Sequence, residues 1–228
     1  MKKKKKSRNE LSKIKLSKKE MRLLKDQQFF NSKKLITEKI YEQMNRFKIK
    51  IISSSTFQKI KFPKNTDVIA GKISKGENYL GLPYVIFDFP KLFNAKELFA
   101  VRTMVWWGNF ASCTFLVSGN EARLTQKFLL NNLDQLKKQQ LWICINVSPW
   151  HHHFEKNNYV KLKELKSIDL EKLFGKHDFL KLARRLPLKK TNELNTFAAE
   201  SFEVFSLLMK KQTSVIKDAR SEATEAAL

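Results

Sequence analysis

Apolar residues near the start of the chain recur at intervals of three and four positions. One set is Leu11, Ile14, Met21 and Leu24, and a second set is Leu35, Ile36, Ile40, Met44, Phe47 and Ile51. Because such residues share one face of an α-helix, the pattern predicts two amphipathic helices, at roughly 17–28 and 33–50. Ser32 is the expected N-cap of the second helix. Their apolar faces need a partner surface, which is either the rest of this chain or another chain.

The middle of the chain is rich in β-branched and aromatic residues. Two such runs, 98–107 and 110–118, flank Gly108 and Asn109, so the sequence predicts a β-hairpin with a two-residue turn that has positive φ at both positions. Pro83 and Pro90 bracket a short strand, Tyr84–Phe89, and the run 141–147 predicts another strand.

Helical spacing returns downstream. Ser118 and Glu121 have the spacing of a capping box before a helix over 121–139, and further helices are predicted from Ser167 to Gly175 and over 191–211. Residues 178–188 fit either a strand or a helix. This order of elements predicts an α+β fold: a mainly antiparallel sheet with a central β-hairpin (98–107 and 110–118) and helices packed on one face.

The same patterns divide the chain into four parts. Residues 1–50 form a basic, helical N-terminal region that docks on the core, and residues 51–70, with a Ser/Thr run and Pro63, form a linker. Residues 71–212 form the α+β core domain. Residues 213–228 form a polar tail that is expected to fray.

Composition favours a folded, basic protein. The 228 residues are 42% hydrophobic and include eighteen Phe and four Trp, which is enough for a sizeable core. The net charge is +23, and residues 1–50 alone carry 18 Lys and Arg against 5 Asp and Glu. Such a surface attracts polyanions, so nucleic acid or a ribosomal surface is the expected partner. The alternative is that the charge run is only a solvated face.

Cysteine usage and the lack of a leader pattern indicate the cytoplasm. Cys113 and Cys144 lie inside apolar strands, where free thiols are packing residues. The basic opening is followed by no apolar stretch, so it does not predict a secretory signal. The most apolar segment, 99–117, contains Arg102 and Asn109 and fits paired strands better than a membrane span.

Three of the four histidines are consecutive, at 151–153. In an extended chain His151, His153 and Glu155 share one face, and imidazole and carboxylate are zinc ligands. The polar surroundings are equally typical of an exposed loop, which is our interpretation. We therefore predict no metal and no cofactor.

A small-molecule site is best sought in "GENYLGLPYVIFDFP" and the hairpin strand after it. If the strand Tyr84–Phe89 pairs with 99–107, Asp88 and Arg102 meet as an ion pair that holds a pocket wall. Alternatively, Arg102 reaches solvent and the aromatic residues are core. The candidate ligand-binding residues are Glu77, Tyr79, Tyr84, Asp88, Arg102, Trp106 and Trp107.

Nucleotide-binding, nucleophile-elbow and metalloprotease motifs are absent, so the sequence does not decide whether the protein is an enzyme. The preferred function is a non-enzymatic cytoplasmic binding protein, with polyanion affinity through its basic N-terminal region. The alternative is a small-molecule-binding protein or enzyme with a pocket around Glu77, Asp88 and Arg102.

Three segments, "LSKKEMRLL", "GENYLGLPYVIFDFP" and "FAVRTMVWWGNF", resemble a group of uncharacterised bacterial proteins. The resemblance covers roughly residues 16–160. It implies a bacterial cytoplasmic protein and carries no activity, cofactor or ligand.

Overall fold

A computed structural model of the protein describes residues 14–210. The basic arm at the start of the chain and the predicted tail 213–228 lie outside the described residues. The chain forms two compact units, residues 1–40 and 41–228. The second unit therefore includes residues 41–70, which the sequence divides between the N-terminal region and a linker.

The first unit contains helix α1 (Lys18–Leu24) and the start of helix α2 (Gln27–Ile52). Ser17 caps α1 through a capping box with Glu20, since each residue accepts a hydrogen bond from the other's backbone N–H. The helix break falls at Lys25–Asp26, and Asp26 accepts a hydrogen bond from the Phe29 N–H at 2.8 Å. The predicted N-cap at Ser32 is therefore wrong, because α2 begins at Gln27, six residues before the predicted start at residue 33.

The second unit holds a seven-stranded sheet and the remaining helices. The strands are β1 (Lys72–Tyr79), β2 (Leu82–Phe93), β3 (Leu98–Trp106), β4 (Phe110–Ser118), β5 (Trp142–Cys144), β6 (Tyr159–Lys161) and β7 (Phe179–Pro187). The helices are α3 (Ser55–Lys59), α4 (Gly119–Asn131), α5 (Leu133–Lys137), α6 (Ser167–Phe174) and α7 (Leu194–Lys210), with short 3-10 turns at Leu162–Glu164 and Leu188–Glu193.

All paired strands are antiparallel, and their order across the sheet is β1-β2-β3-β4-β7-β5-β6. The predicted α+β class and the central hairpin, β3 and β4, are confirmed. The segment 178–188, which fitted two interpretations, is strand β7. It lies between β4 and β5, so it joins the hairpin half of the sheet to the short strands at its far edge.

The hairpin turn differs from its prediction. Trp106 pairs with Phe110, so the turn has three residues, and of these Gly108 alone has positive φ, at 73°. The Asn109 N–H donates to the Trp106 carbonyl at 3.1 Å, and its side chain donates to the Trp107 carbonyl. Asn109 therefore closes the turn through hydrogen bonds rather than through a left-handed backbone.

Helices cover one face of the sheet, as predicted. Phe47 of α2 packs edge-on against Phe87, Phe57 of α3 stacks near Phe89, and Phe205 of α7 stacks on Phe115. Of the stripe predicted on α2, Met44, Phe47 and Ile51 are buried, whereas Leu35 and Ile36 are exposed, so the prediction is wrong for those two residues. The apolar residues of α7 that helical spacing places on one face are buried: Leu194, Phe197, Phe202, Phe205 and Leu208. Aromatic side chains bury a large apolar area each, so this layer is the main core.

Two helix boundaries differ from the sequence interpretation. Ser118 precedes α4, but its Oγ accepts a hydrogen bond from the Leu98 N–H at 2.8 Å, so the predicted capping box is absent. The predicted helix 121–139 is broken at Asn132 into α4 and α5. At Ser118 a tertiary hydrogen bond takes the place of the local cap. At Asn132 the side-chain amide donates to the Phe128 carbonyl, which also accepts from the Asn132 backbone N–H, where the first helix ends.

The opposite face of the sheet is covered by residues 145–158, which we call the covering segment. It contains no helix or strand and includes the three consecutive histidines. Its Phe154 packs between Phe110, Trp142 and Tyr159. None of the helices within residues 14–210 is long and apolar enough to cross a bilayer.

Candidate functional site

Asp88 and Arg102 form the ion pair that the sequence predicts. They lie directly opposite each other on β2 and β3, and their side chains are 5% and 14% exposed. Arg102 Nε donates to Asp88 Oδ1 at 2.7 Å and Nη2 donates to Oδ2 at 2.9 Å. This is the bidentate geometry in which a guanidinium and a carboxylate fix each other's orientation. The predicted pairing of Asp88 with Arg102 is confirmed.

The covering segment encloses the outer side of this pair. The Arg102 guanidinium lies 5.7 Å from the ring centroid of Trp150 and 5.9 Å from that of Phe93. Its Nη1 is 3.5 Å from Nε2 of His152. Burial lowers the pKa of His152 well below its ordinary value, and the nearby charges of Lys181 and Arg102 lower it further. A neutral His152 can accept from the guanidinium without repelling it.

Tyr79 anchors the consecutive histidines to the sheet. Its hydroxyl accepts hydrogen bonds from the backbone N–H groups of His152 and His153, at 2.6 and 3.2 Å. The hydroxyl also lies 3.0 Å from His153 Nδ1, and His153 Nε2 lies 3.2 Å from Asn157 Oδ1. Because this hydroxyl accepts hydrogen bonds from two backbone N–H groups, its own proton is donated to His153 Nδ1. The ring proton of His153 is therefore assigned to Nε2, which faces Asn157 Oδ1.

This geometry gives no support to the zinc alternative. Both ring nitrogens of His153 are used by Tyr79 and Asn157, while His151 and Glu155 are exposed. Among residues 14–210 no group of three or more His, Cys, Asp or Glu is placed to hold a metal ion. The three histidines instead lie over the sheet, and their backbone is held by Tyr79.

The remaining candidate residues lie in different parts of the sheet. Tyr79, Tyr84 and Trp106 belong to one aromatic cluster, and the Trp106 indole N–H donates to the Tyr79 carbonyl at 3.1 Å. Trp107 lies in the hairpin turn and is half-buried, and Glu77 is exposed on β1. The structure thus divides the seven residues between an ion pair, an aromatic cluster and two positions near the surface.

Sequence reasoning missed a buried lysine beside this cluster. Lys181 on β7 is 1% exposed, and its Nζ donates to the carbonyl oxygens of Pro149 at 2.7 Å and His151 at 2.5 Å. It also lies 5.2 Å from the Tyr159 ring centroid. Burial lowers the pKa of Lys181 to about 7. Its N–H groups thereby satisfy two backbone carbonyl groups of the covering segment.

A second site lies where β5 diverges from β7. The pairing of these strands stops at Trp142–Ala183, while β7 continues to Pro187. A cavity of about 710 Å³ opens there, which we call the basic cavity. Its ionisable lining residues are the cations Lys137, Lys138, Lys161, Lys163, Lys190, Arg184 and Arg185, and the acids Glu193 and Glu200.

The basic cavity also has two aromatic walls with cations beside them. Lys161 Nζ lies 5.5 Å from the Trp142 ring centroid, and the Arg184 guanidinium lies 5.5 Å from that of Phe197. Two of the lysines approach acids, Lys161 with Glu164 at 3.9 Å and Lys190 with Glu193 at 3.7 Å, but these pairs are about half exposed. Exposed pairs of this kind are weak, so the cavity stays positive.

A smaller cavity of about 380 Å³ adjoins the basic cavity, and both are lined by Arg185 and Pro187. Trp106, Phe110, His153, Phe154 and Glu155 are among its other lining residues. Neither cavity is lined by Asp88 or Arg102. The sequence does carry a signal for this region, the basic run "RRLPLKK". The polyanion prediction was placed on the N-terminal region instead, because the charge there is larger.

No protein-family model matches this chain, and searches of curated proteins and of solved structures find no significant match.

Proposed function

We propose that this chain is a non-enzymatic polyanion-binding protein of the cytoplasm, and that its partner is nucleic acid, free or on the ribosome surface. The observation that carries this proposal is the basic cavity, where seven cations and two carboxylates line about 710 Å³. Cations gathered in one concave site repel each other, and an anionic ligand relieves that repulsion. Phosphate groups are the usual ligands of such clusters.

The aromatic walls favour nucleic acid over a simple anion. Trp142 and Phe197 line the cavity together with the cations, and Trp142 is half-buried. Grooves that combine cations with aromatic rings bind nucleic acid by contacting phosphates and stacking bases. The composition of the cavity therefore matches the phosphate and the base of a nucleotide.

The basic N-terminal region supplies a second attraction in this proposal. Residues 14–32 are all exposed, and residues 14–40 carry eight Lys and Arg against three Asp and Glu. Exposed cations of this density raise the rate and strength of association with phosphate backbones without selecting a sequence. The arm and the cavity would therefore act together.

The alternative, a small-molecule site around Glu77, Asp88 and Arg102, has weaker support. Asp88 and Arg102 satisfy each other, and the covering segment encloses them through Trp150 and His152. A bidentate pair that is already formed offers a ligand few remaining hydrogen-bonding groups. We therefore assign this pair to the support of the covering segment.

The test is binding of fluorescently labelled single-stranded RNA and DNA to the full chain over a range of salt concentrations. We expect log affinity to fall linearly with log salt, because neutralised phosphates release counterions. Combining Lys137→Gln, Lys163→Gln and Lys190→Gln should reduce that slope by about two. Deleting residues 1–15, which hold eight Lys and Arg against one Glu, should weaken retention most at low salt.

The matched control combines Lys172→Gln, Lys176→Gln and Lys189→Gln, which removes the same charge from exposed positions outside the basic cavity. It should change the slope less than the cavity combination does. Failure of the full chain to bind RNA or DNA at low salt would overturn the proposal. If the two combinations had equal effects, binding would depend on surface charge in general, and the basic cavity would not be the binding site.

A further inference from the structure

Arg185 forms a wall that the two cavities share. It lines both the basic cavity and the smaller one, and it is exposed. Its guanidinium lies 5.7 Å from the ring centroid of Phe110, 5.8 Å from that of Phe154 and 6.0 Å from that of Trp142. Within residues 14–210 no carboxylate lies within 4 Å of it to form an ion pair.

Three rings therefore hold this guanidinium at the boundary between the cavities. Contact with aromatic faces restricts the side chain before any ligand arrives, so less conformational entropy is lost when a ligand binds. A guanidinium presents several N–H donors in one plane, which suits two oxygens of a phosphate group. Arg185 is thus prepared to bind a phosphate between the cavities.

The cavities on either side have complementary chemistry. The basic cavity provides Trp142 beside several lysines, and the smaller cavity provides Phe110 and Phe154 beside the polar side chains of His153 and Glu155. Each therefore offers an aromatic surface next to polar or charged groups. A ligand that spans both must alternate planar rings with anions.

We propose that the two cavities form one groove for single-stranded nucleic acid, in which Arg185 binds the phosphate between two unpaired nucleotides. One base lies beside Trp142 in the basic cavity, and the next lies beside Phe110 in the smaller cavity. A duplex keeps its bases paired and stacked, so it cannot place them in the cavities. This inference rests on the proposed function and adds to it the strandedness of the ligand and the position of its backbone.

The experiment compares labelled single strands with a duplex of the same sequence by fluorescence polarisation, using the full chain. In a length series up to about twelve nucleotides, affinity should rise steeply once both cavities are occupied. Arg185→Gln should weaken single-strand binding about tenfold and Arg185→Lys by less, because lysine keeps the charge and loses the planar donors. Trp142→Leu should weaken it about fivefold or more, through loss of stacking.

Arg123→Gln is the matched control, since Arg123 is exposed on α4 and lines neither cavity. It should leave single-strand affinity within about twofold, as expected for one remote charge at moderate salt. Thermal unfolding of each variant separates loss of binding from loss of folding, and a folded Arg185→Lys keeps the test decisive if Arg185→Gln unfolds.

The groove is overturned if the duplex binds as tightly as the single strand, or if Arg185→Gln has no larger effect than Arg123→Gln. It is also overturned if a mononucleotide competes as well as the longer strand, since that would indicate a site for a small phosphorylated molecule. Absence of binding to any nucleic acid would instead contradict the proposed function itself. The two failures are therefore distinguishable.

Discussion

At the scale of single residues, Arg102 shows how an apolar strand accommodates a charge. Its neighbours Val101 and Thr103 point to the helix-covered face, whereas Arg102 points to the opposite face and meets Asp88. Both carboxylate oxygens are used, and two aromatic rings enclose the guanidinium. Taking charges out of water is costly, and this pair offsets the cost through geometry.

Replacing Arg102 should destabilise the protein more than its charge alone implies. In Arg102→Met the Asp88 carboxylate stays buried without its partner, which costs about 3–5 kcal/mol of unfolding free energy. Adding Asp88→Asn to that variant should recover part of the loss, because the remaining uncompensated charge is removed. Chemical denaturation of the single and double variants measures both effects.

The control for this prediction is Arg46→Met, because Arg46 pairs with Glu42 at 2.8 Å but both side chains are more than half exposed. That variant should lose under about 1 kcal/mol. If Arg102→Met were no more destabilising than Arg46→Met, the pair would not be acting as a buried one.

At the scale of elements, the covering segment has no backbone ladder of its own and depends on side chains from the sheet. Tyr79 of β1 accepts from two of its N–H groups, and Lys181 of β7 donates to two of its carbonyl groups. Asn158 closes its far end by donating to the His153 carbonyl at 2.6 Å. Buried backbone groups must find such partners, and here the sheet supplies four of these hydrogen bonds and Asn158 of the segment itself supplies one.

We predict that the stability of this arrangement rises with pH because of Lys181. An unfolded lysine keeps its proton until about pH 10.5, whereas burial lowers the pKa of Lys181 to about 7 in the folded protein. Between these values the unfolded state binds more protons, so the unfolding free energy increases with pH, by up to about 1.4 kcal/mol per unit. Denaturant titrations between pH 7 and about pH 8, below the range in which thiols of the unfolded chain ionise, measure this slope.

The groups around Lys181 leave the sign of this slope unchanged up to about pH 8, because the buried thiols and the Tyr159 hydroxyl, whose pKa values are raised on folding, oppose it only where they ionise in the unfolded chain. Burial raises the pKa of the Cys144 thiol and of the Tyr159 hydroxyl, so both stay neutral near pH 7, and the Arg102 charge opposes a second cation. The pKa of His152 is also lowered, so stability should fall further as the pH drops below 6.5. Lys181→Met should flatten the slope above pH 7, and an unchanged slope would contradict the assignment.

At the scale of the whole molecule, positive charge dominates. Residues 1–50 carry +13 of the net charge of +23 and residues 51–228 carry +10, and the basic cavity gathers seven cations of the second part. Like charges held close together destabilise the compact state, and salt or a bound polyanion reduces that cost.

Added salt should therefore stabilise the protein against heat. Raising the salt concentration from about 0.01 M to about 0.1 M shortens the screening length from about 30 Å to about 10 Å. A gain of about 1 kcal/mol would raise the thermal midpoint by about 2–4 °C for a chain of this size. Differential scanning calorimetry at neutral pH in sodium chloride measures the shift.

The same comparison near pH 10.0, the isoelectric point, provides the control, because the net charge and its self-repulsion vanish there. The salt effect should be much smaller at that pH. A midpoint that falls with salt at neutral pH would mean that attractive ion pairs outweigh the repulsion.

The sequence by itself determined many of the local elements, the fold class and one side-chain ion pair. Helical spacing identified the buried residues of α7 and of α2 from Met44 to Ile51, and the β-branched and aromatic runs identified β3 and β4. Asp88 and Arg102 could be paired in advance because β2 and β3 are adjacent in sequence and short connections make neighbouring strands antiparallel partners. These features depend on residues that are close along the chain.

Only the tertiary structure decided where the two sites lie. Lys181 becomes buried because β7 inserts between β4 and β5, which places it beneath a segment some thirty residues earlier in the chain. The basic cavity likewise combines residues near 137, 161 and 185, and the charge of each run alone fits an ordinary solvated surface. Long-range strand order brings these residues together, and no local pattern of polar and apolar positions encodes that order.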